Sequence, residues 1–150
     1  TACCVYHVVD IRRLLKEYLA EVLTNPQRYA VNVKHPNAVR VSTRGFIKFL
    51  SERGYTVGNG TAHSIDPDEL AGNMKLMKQA LRELKSRGLI RDFECKDYPL
   101  TCNVLLTEGV GREEVQAAIS AMHLKWRPPA LPQYVSAQTT KQTNTLKLTQ

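Results

Sequence analysis

Lys75, Lys78, Arg82 and Lys85 follow one another at steps of three, four and three residues, with Gln79 beside them. On an α-helix those steps bring side chains to one face. A row of ammonium and guanidinium groups suits the phosphates of a nucleic acid backbone, whose neutralisation releases condensed counterions. Gln79 and Arg82 add finer chemistry, since in a major groove an amide can pair with adenine and a guanidinium with guanine. From Lys75 to Arg91 six cations, Lys75, Lys78, Arg82, Lys85, Arg87 and Arg91, stand against Glu83 alone, a net of +5. The plainer reading of such a segment is a solvated helix face.

Catalytic chemistry has no matching constellation. The chain carries no phosphate-binding glycine loop, no Gly-x-Ser-x-Gly elbow and no paired carboxylates with a histidine nearby. Gly58-Asn59-Gly60 is too short for a nucleotide loop and lacks its lysine. His7, His35, His63 and His123 fall one to a segment. Cys3 and Cys4 are adjacent and Cys95 and Cys102 have six residues between them, so no Cys-x-x-Cys metal spacing occurs. The expectation is a protein without catalytic residues, metal ligands or cofactor, acting by occupancy.

The cationic row needs a helix to hold it, and Asp66-Pro67-Asp68-Glu69 begins one. Asp66 can cap it, Pro67 suits the first helical position, Asp68 meets the positive end of the dipole and Glu69 can complete a capping box. Leu70, Met74, Met77, Ala80, Leu81 and Leu84 then form a buried stripe. Gly88 stands where a left-handed residue ends a helix, so the helix stops near Arg87. Leu89 to Glu94 alternates apolar and charged residues as a half-buried strand does, Thr101 to Leu106 answers it, and Lys96-Asp97-Tyr98-Pro99 is the turn between them. A hairpin turning about Tyr98-Pro99 sets Cys95 opposite Cys102, close enough for a disulfide. In a reducing compartment the same pair would be two buried thiols.

Upstream, Asp10 can cap a helix whose inward positions are Ile11, Leu14, Leu15, Tyr18, Leu19, Val22 and Leu23, ended by Asn25-Pro26. Ala30 to Val33 and Ala38 to Val41 can form short strands around a turn at His35-Pro36-Asn37. Ser42 or Thr43 can cap a second helix, Arg44 to Arg53, with Phe46, Ile47 and Leu50 inward and Gly54 closing it. The order helix, short strand, helix, helix, hairpin resembles the winged helix-turn-helix family of DNA-binding domains over roughly residues 10–107. One departure stands out: Tyr55 to Ile65 puts eleven residues where that family has a short turn.

The resemblance implies an α+β, mainly α, domain of three helices and a β-hairpin wing. It further implies double-stranded DNA as the partner, with the helix after Asp66 in the major groove and the wing along the backbone or minor groove. Lys75, Lys78, Gln79, Arg82 and Lys85 would then meet the major groove, Arg44 and Lys48 would hold phosphates, and Arg91, Lys96 and Tyr98 would act from the wing. A small transcriptional regulator follows from that reading. The competing class is a winged-helix adaptor in a transcription, replication or ribonucleoprotein assembly, docking on protein or RNA. A nuclease or recombination accessory factor is disfavoured because acidic residues do not cluster.

The remaining chain divides by composition. The expected layout is an amino-terminal arm at 1–9, the domain at 10–107, an additional helix within 108–126 and a tail at 127–150 that is Pro-rich and then polar and basic. Within Arg112 to Met122 the positions Val115, Ala118, Ile119 and Met122 share one side, suited to a homodimer with Ala117, Ala118 and Ala121 allowing close approach, or to packing on the chain's own domain. The tail, with no acid after Leu124, is expected to be flexible alone and to order on a protein or RNA partner. With 150 residues, 43% hydrophobic, one core is expected. The net charge of +7 is uneven, since Arg28 to Arg53 holds six cations against Glu52 alone, whereas acids gather at Asp10 to Glu21 and Glu108 to Glu114. That asymmetry fits a nucleic acid partner. Neither a bilayer-spanning apolar run nor a secretory signal pattern is present, which points to a cytoplasmic, nucleoid-associated protein.

Overall fold

The computed structural model describes residues 10–124 apart from 33 and 59–62. The arm at 1–9 and the tail from 125 onward lie outside the described residues, and so do Cys3, Cys4 and His7.

Asp10 accepts a hydrogen bond from the Arg13 N–H at 3.1 Å and so caps helix α1 (Ile11–Thr24). The seven inward positions of α1 are all buried, and this helix packs on elements throughout the domain. A single turn, α2 (Pro26–Tyr29), follows, with Pro26 at its first position. Next come strands β1 (Ala30–Asn32) and β2 (His35–Ser42), then helix α3 (Thr43–Glu52), capped by Ser42 Oγ accepting from Gly45 N–H at 2.9 Å. Phe46, Phe49 and Leu50 are its buried residues; Ile47, expected inward, is exposed. Phe49 takes the inward place because it closes an aromatic trio with Tyr18 and Phe46, with ring centroids 5.4 Å apart for each pair with Tyr18.

Two-residue strands β3 (Thr56–Val57) and β4 (Ser64–Ile65) pair in parallel across the segment expected to be a plain loop. Thr56 N–H donates to His63 O and Gly58 N–H to Ile65 O, each at 3.0 Å. Helix α4 (Pro67–Ser86) begins as the sequence predicts, with Asp66 accepting from Glu69 N–H at 3.0 Å. It ends in a Schellman motif: Leu89 N–H reaches Leu84 O and Gly88 N–H reaches Lys85 O, both at 2.9 Å, with Gly88 at φ 74°. Strands β5 (Ile90–Lys96) and β6 (Thr101–Leu106) make the hairpin, and α5 (Arg112–Ala121) completes the described elements.

The principal sheet is antiparallel in the order β1-β2-β6-β5, so β2, which joins α1 and α2 to α3, pairs with the returning strand of the distant hairpin. This pairing corrects one expectation. His35-Pro36-Asn37 was expected as a turn but lies within β2, because the strand is set by partners across the sheet: His35 stands opposite Asn32 of β1, and Ala38 and Val41 stand opposite Leu105 and Cys102 of β6. The sheet is two-sided: Val39, Val41, Cys102 and Val104 face the helices fully buried, and Arg40 and Asn103 face solvent. Arg40 Nε donates to Asn103 Oδ1 at 3.2 Å across the exposed face. The result is an α+β domain with one core.

The apolar side of α5 is occupied within the chain. Val115, Ala118, Ile119 and Met122 are buried and the helix packs on α1, while Ala117 and Ala121 remain exposed. Lys16 Nζ donates to Ser120 O at 3.0 Å, satisfying a carbonyl in the last turn of α5. No helix among the described residues is long and apolar enough to cross a membrane.

Candidate nucleic-acid interface

The apolar stripe of α4 fixes where its cations point. Leu70, Met74, Met77, Ala80, Leu81 and Leu84 are buried as expected, and Leu76, outside that stripe, is buried too. Lys75, Arg82 and Lys85 are therefore held outward, while Lys78 and Gln79 lie half-buried at the margin.

The hairpin folds its own carboxylates against this row. Lys85 Nζ donates to Asp92 Oδ1 at 2.9 Å, and Lys78 Nζ approaches Asp97 Oδ2 at 3.4 Å. The hydrogen bond from Lys85, followed by one from the Phe93 N–H at 2.8 Å, holds the Asp92 carboxyl below the usual aspartate range. Arg87 turns to Glu83 at 2.8 Å. From Lys75 through Asp97 the balance is thus seven cations against four carboxylates, +3, smaller than the α4 row alone suggests. Exposed pairs of this kind are weakly held, so a polyanion can compete for both lysines.

The hairpin turn also meets α3. Leu100 is buried, and its carbonyl accepts the Thr43 N–H at 2.9 Å at the first residue of α3. Ser42, Thr101 and Lys96 lie in register across β2, β6 and β5 at the same end of the sheet. The turn therefore links the start of α3, which carries exposed Arg44 and Lys48, to the middle of α4. Arg91 and Lys96 are exposed on β5. None of Arg44, Lys48, Lys75, Arg82, Arg91 or Lys96 forms an ion pair with a described residue.

The sequence-level charge count over Arg28 to Arg53 overstates what is available. Arg28 is shared between Glu21 at 3.3 Å and Glu52 at 3.6 Å, and the Arg53 guanidinium lies 3.5 Å from the Phe49 ring centroid. A groove of about 440 Å³ borders this region, lined in part by Arg28, Arg40, Lys48 and Glu52.

Cys95 and Cys102 stand directly opposite in the hairpin, Cα atoms 4.0 Å apart and sulfurs at disulfide distance. Cys102 is fully buried. Beneath α3, Tyr18 is buried and its hydroxyl accepts the Ser42 N–H at 3.1 Å; burial raises its pKa, with the hydrogen bonds to Ser42 opposing that shift. Gly45 is the residue most tightly tied to that packing and carries no signal in the sequence, since nothing local to it marks the close approach of Tyr18.

Compared with known proteins, the chain matches no family model, no curated protein and no solved structure.

Proposed function

We propose that the chain is a winged-helix protein that binds double-stranded DNA and acts as a small transcriptional regulator, by occupancy. The single observation that carries this reading is that α3, α4 and β5, tied to one another through the hairpin, together offer six exposed cations free of ion pairs with described residues. The chain order supports it as well: leaving aside the short elements, helix, strand, helix, helix, hairpin, with the strand β2 before α3 paired to β6, the returning strand of the hairpin. In this reading α4 enters the major groove, Gln79 and Arg82 read base edges, Lys75, Lys78 and Lys85 meet phosphates or base edges beside them, and Arg44, Lys48, Arg91 and Lys96 hold the backbone. The face of α5 that carries Ala117 and Ala121 is where a homodimer would form.

Selection of duplexes from a random pool by gel shift across a salt series tests the proposal. Arg44, Lys48, Arg91 and Lys96 together with two of the α4 lysines on phosphates make a slope of log K against log salt of about −5. An absence of duplex binding at low salt would sink it, and a steep slope without an enriched sequence would convert the regulator into an architectural binder.

The carboxylates Asp92 and Asp97 favour a second reading, a non-enzymatic adaptor within a larger transcription, replication or ribonucleoprotein assembly, because a face of mixed sign complements a protein surface. Recovery in polymerase or ribosomal fractions that survives DNase treatment selects the adaptor. Nuclease-sensitive recovery with the nucleoid selects DNA binding.

A further inference from the structure

Tyr98 is 96% exposed at the tip of the β5–β6 hairpin, and it makes no ring contact or hydrogen bond to a described residue. A large aromatic side chain held wholly in water contributes nothing to the core. Its neighbours are fixed all the same. Leu100 is buried with its carbonyl bound to the start of α3, and Cys95 and Cys102 face each other at disulfide distance below the turn. The backbone that carries the ring is thus tied to the start of α3 and closed below by the facing cysteines, so little conformational freedom remains to be lost when the ring meets a partner.

Lys96, two residues before Tyr98 on the same hairpin, is exposed without an ion pair and suited to a phosphate beside an inserted ring. From these observations we propose that Tyr98 is a stacking wedge: it enters the minor groove of bound duplex DNA and opens one base-pair step, its ring replacing part of the lost stacking. The inference rests on the duplex-binding reading and adds to it a deformation of the DNA, with preference for flexible pyrimidine–purine steps. The hydroxyl has no part in stacking, so Tyr98→Phe keeps the function and Tyr98→Ala loses it.

The test uses the full chain and duplexes of a selected site carrying 2-aminopurine at successive positions, with complex formation followed in parallel by anisotropy. Wild type and Tyr98→Phe should brighten the probe at one step. Tyr98→Ala should abolish the brightening and weaken binding about 5- to 30-fold, with an unchanged salt slope because no cation is removed. A saturated wild-type complex that brightens no position, or brightening that persists in Tyr98→Ala, overturns the wedge and leaves duplex binding standing. No complex at low salt overturns both.

Discussion

Replacing Gly45 by alanine puts one methyl group into the tightest approach at the α1–α3 junction. A β-carbon there would lie 2.2 Å from Tyr18 Oη, 3.1 Å from Ser42 Oγ and 3.2 Å from Tyr18 Cζ. The hydroxyl would have to retreat by about 1 Å to reach ordinary contact. Tyr18 cannot give way cheaply, because its ring is 2% exposed and wedged between Phe46 and Phe49. Overpacking of this kind costs about 1–3 kcal/mol, and losing the bond from Ser42 N–H adds about 1 kcal/mol. Alanine returns about 1 kcal/mol through its better helix propensity. Gly45→Ala should therefore destabilise the fold by about 2 kcal/mol, measured as a lower urea midpoint at constant m. Tyr18→Phe alone should cost about 1 kcal/mol by leaving the Ser42 N–H without its acceptor. In the Tyr18→Phe background the alanine no longer meets a hydroxyl, so the double variant should be more stable than the sum of the two losses by about 1.5 kcal/mol. If Gly45→Ala matches wild type, or the two losses simply add, the reasoning about this contact is wrong.

Three further outcomes follow from the surface and the hairpin. Arg82→Ala should lower duplex affinity by about 1–3 kcal/mol and change the preferred base, whereas Lys48→Ala should weaken all sequences alike and reduce the salt slope by about 1, both read from binding isotherms. The Asp92 carboxyl, held down first by Lys85, should titrate below an ordinary aspartate in a carboxyl-detected NMR experiment and move upward in Lys85→Ala; because its folded pKa is depressed, its contribution to stability is present above the unfolded value of about 3.9 and fades as pH falls through the folded one. Mass spectrometry after alkylation without reductant should find Cys95 and Cys102 blocked by a disulfide, and reduction should cost about 2.5 kcal/mol by reopening the short loop they close; labelling of both thiols in unreduced protein would contradict the staple.

Signals local to a few residues were legible in the sequence. Asp66 and Asp10 cap helices through bonds three residues away, Gly88 ends α4 by its own φ, and turn symmetry about Tyr98-Pro99 sets Cys95 opposite Cys102. What escaped depends on partners far along the chain. His35-Pro36-Asn37 looks like a turn in isolation and becomes strand because β6, more than sixty residues later, hydrogen-bonds the rest of β2. Ile47 and Phe49 exchange expected places because only the packed trio with Tyr18 distinguishes them. For the candidate site, the cations of α4 and their outward direction were readable, whereas their partial neutralisation by Asp92 and Asp97 depends on how the hairpin folds back. The short parallel pairing of β3 with β4 has too few residues to register as a pattern.

That pairing bears on how freely this chain can vary in length. With Thr56 and Gly58 bonded to His63 and Ile65, the two ends of the intervening segment are pinned together ahead of α4. The geometry between α3 and α4 is then set at the clamp, and residues between Gly58 and His63 can be added with a closure penalty that grows by only about 0.6 kcal/mol per doubling. Relatives with very different lengths at this point would still present α3 and α4 at the same angle, and an affinity tag or fluorophore-bearing peptide inserted there would leave the cationic face in place.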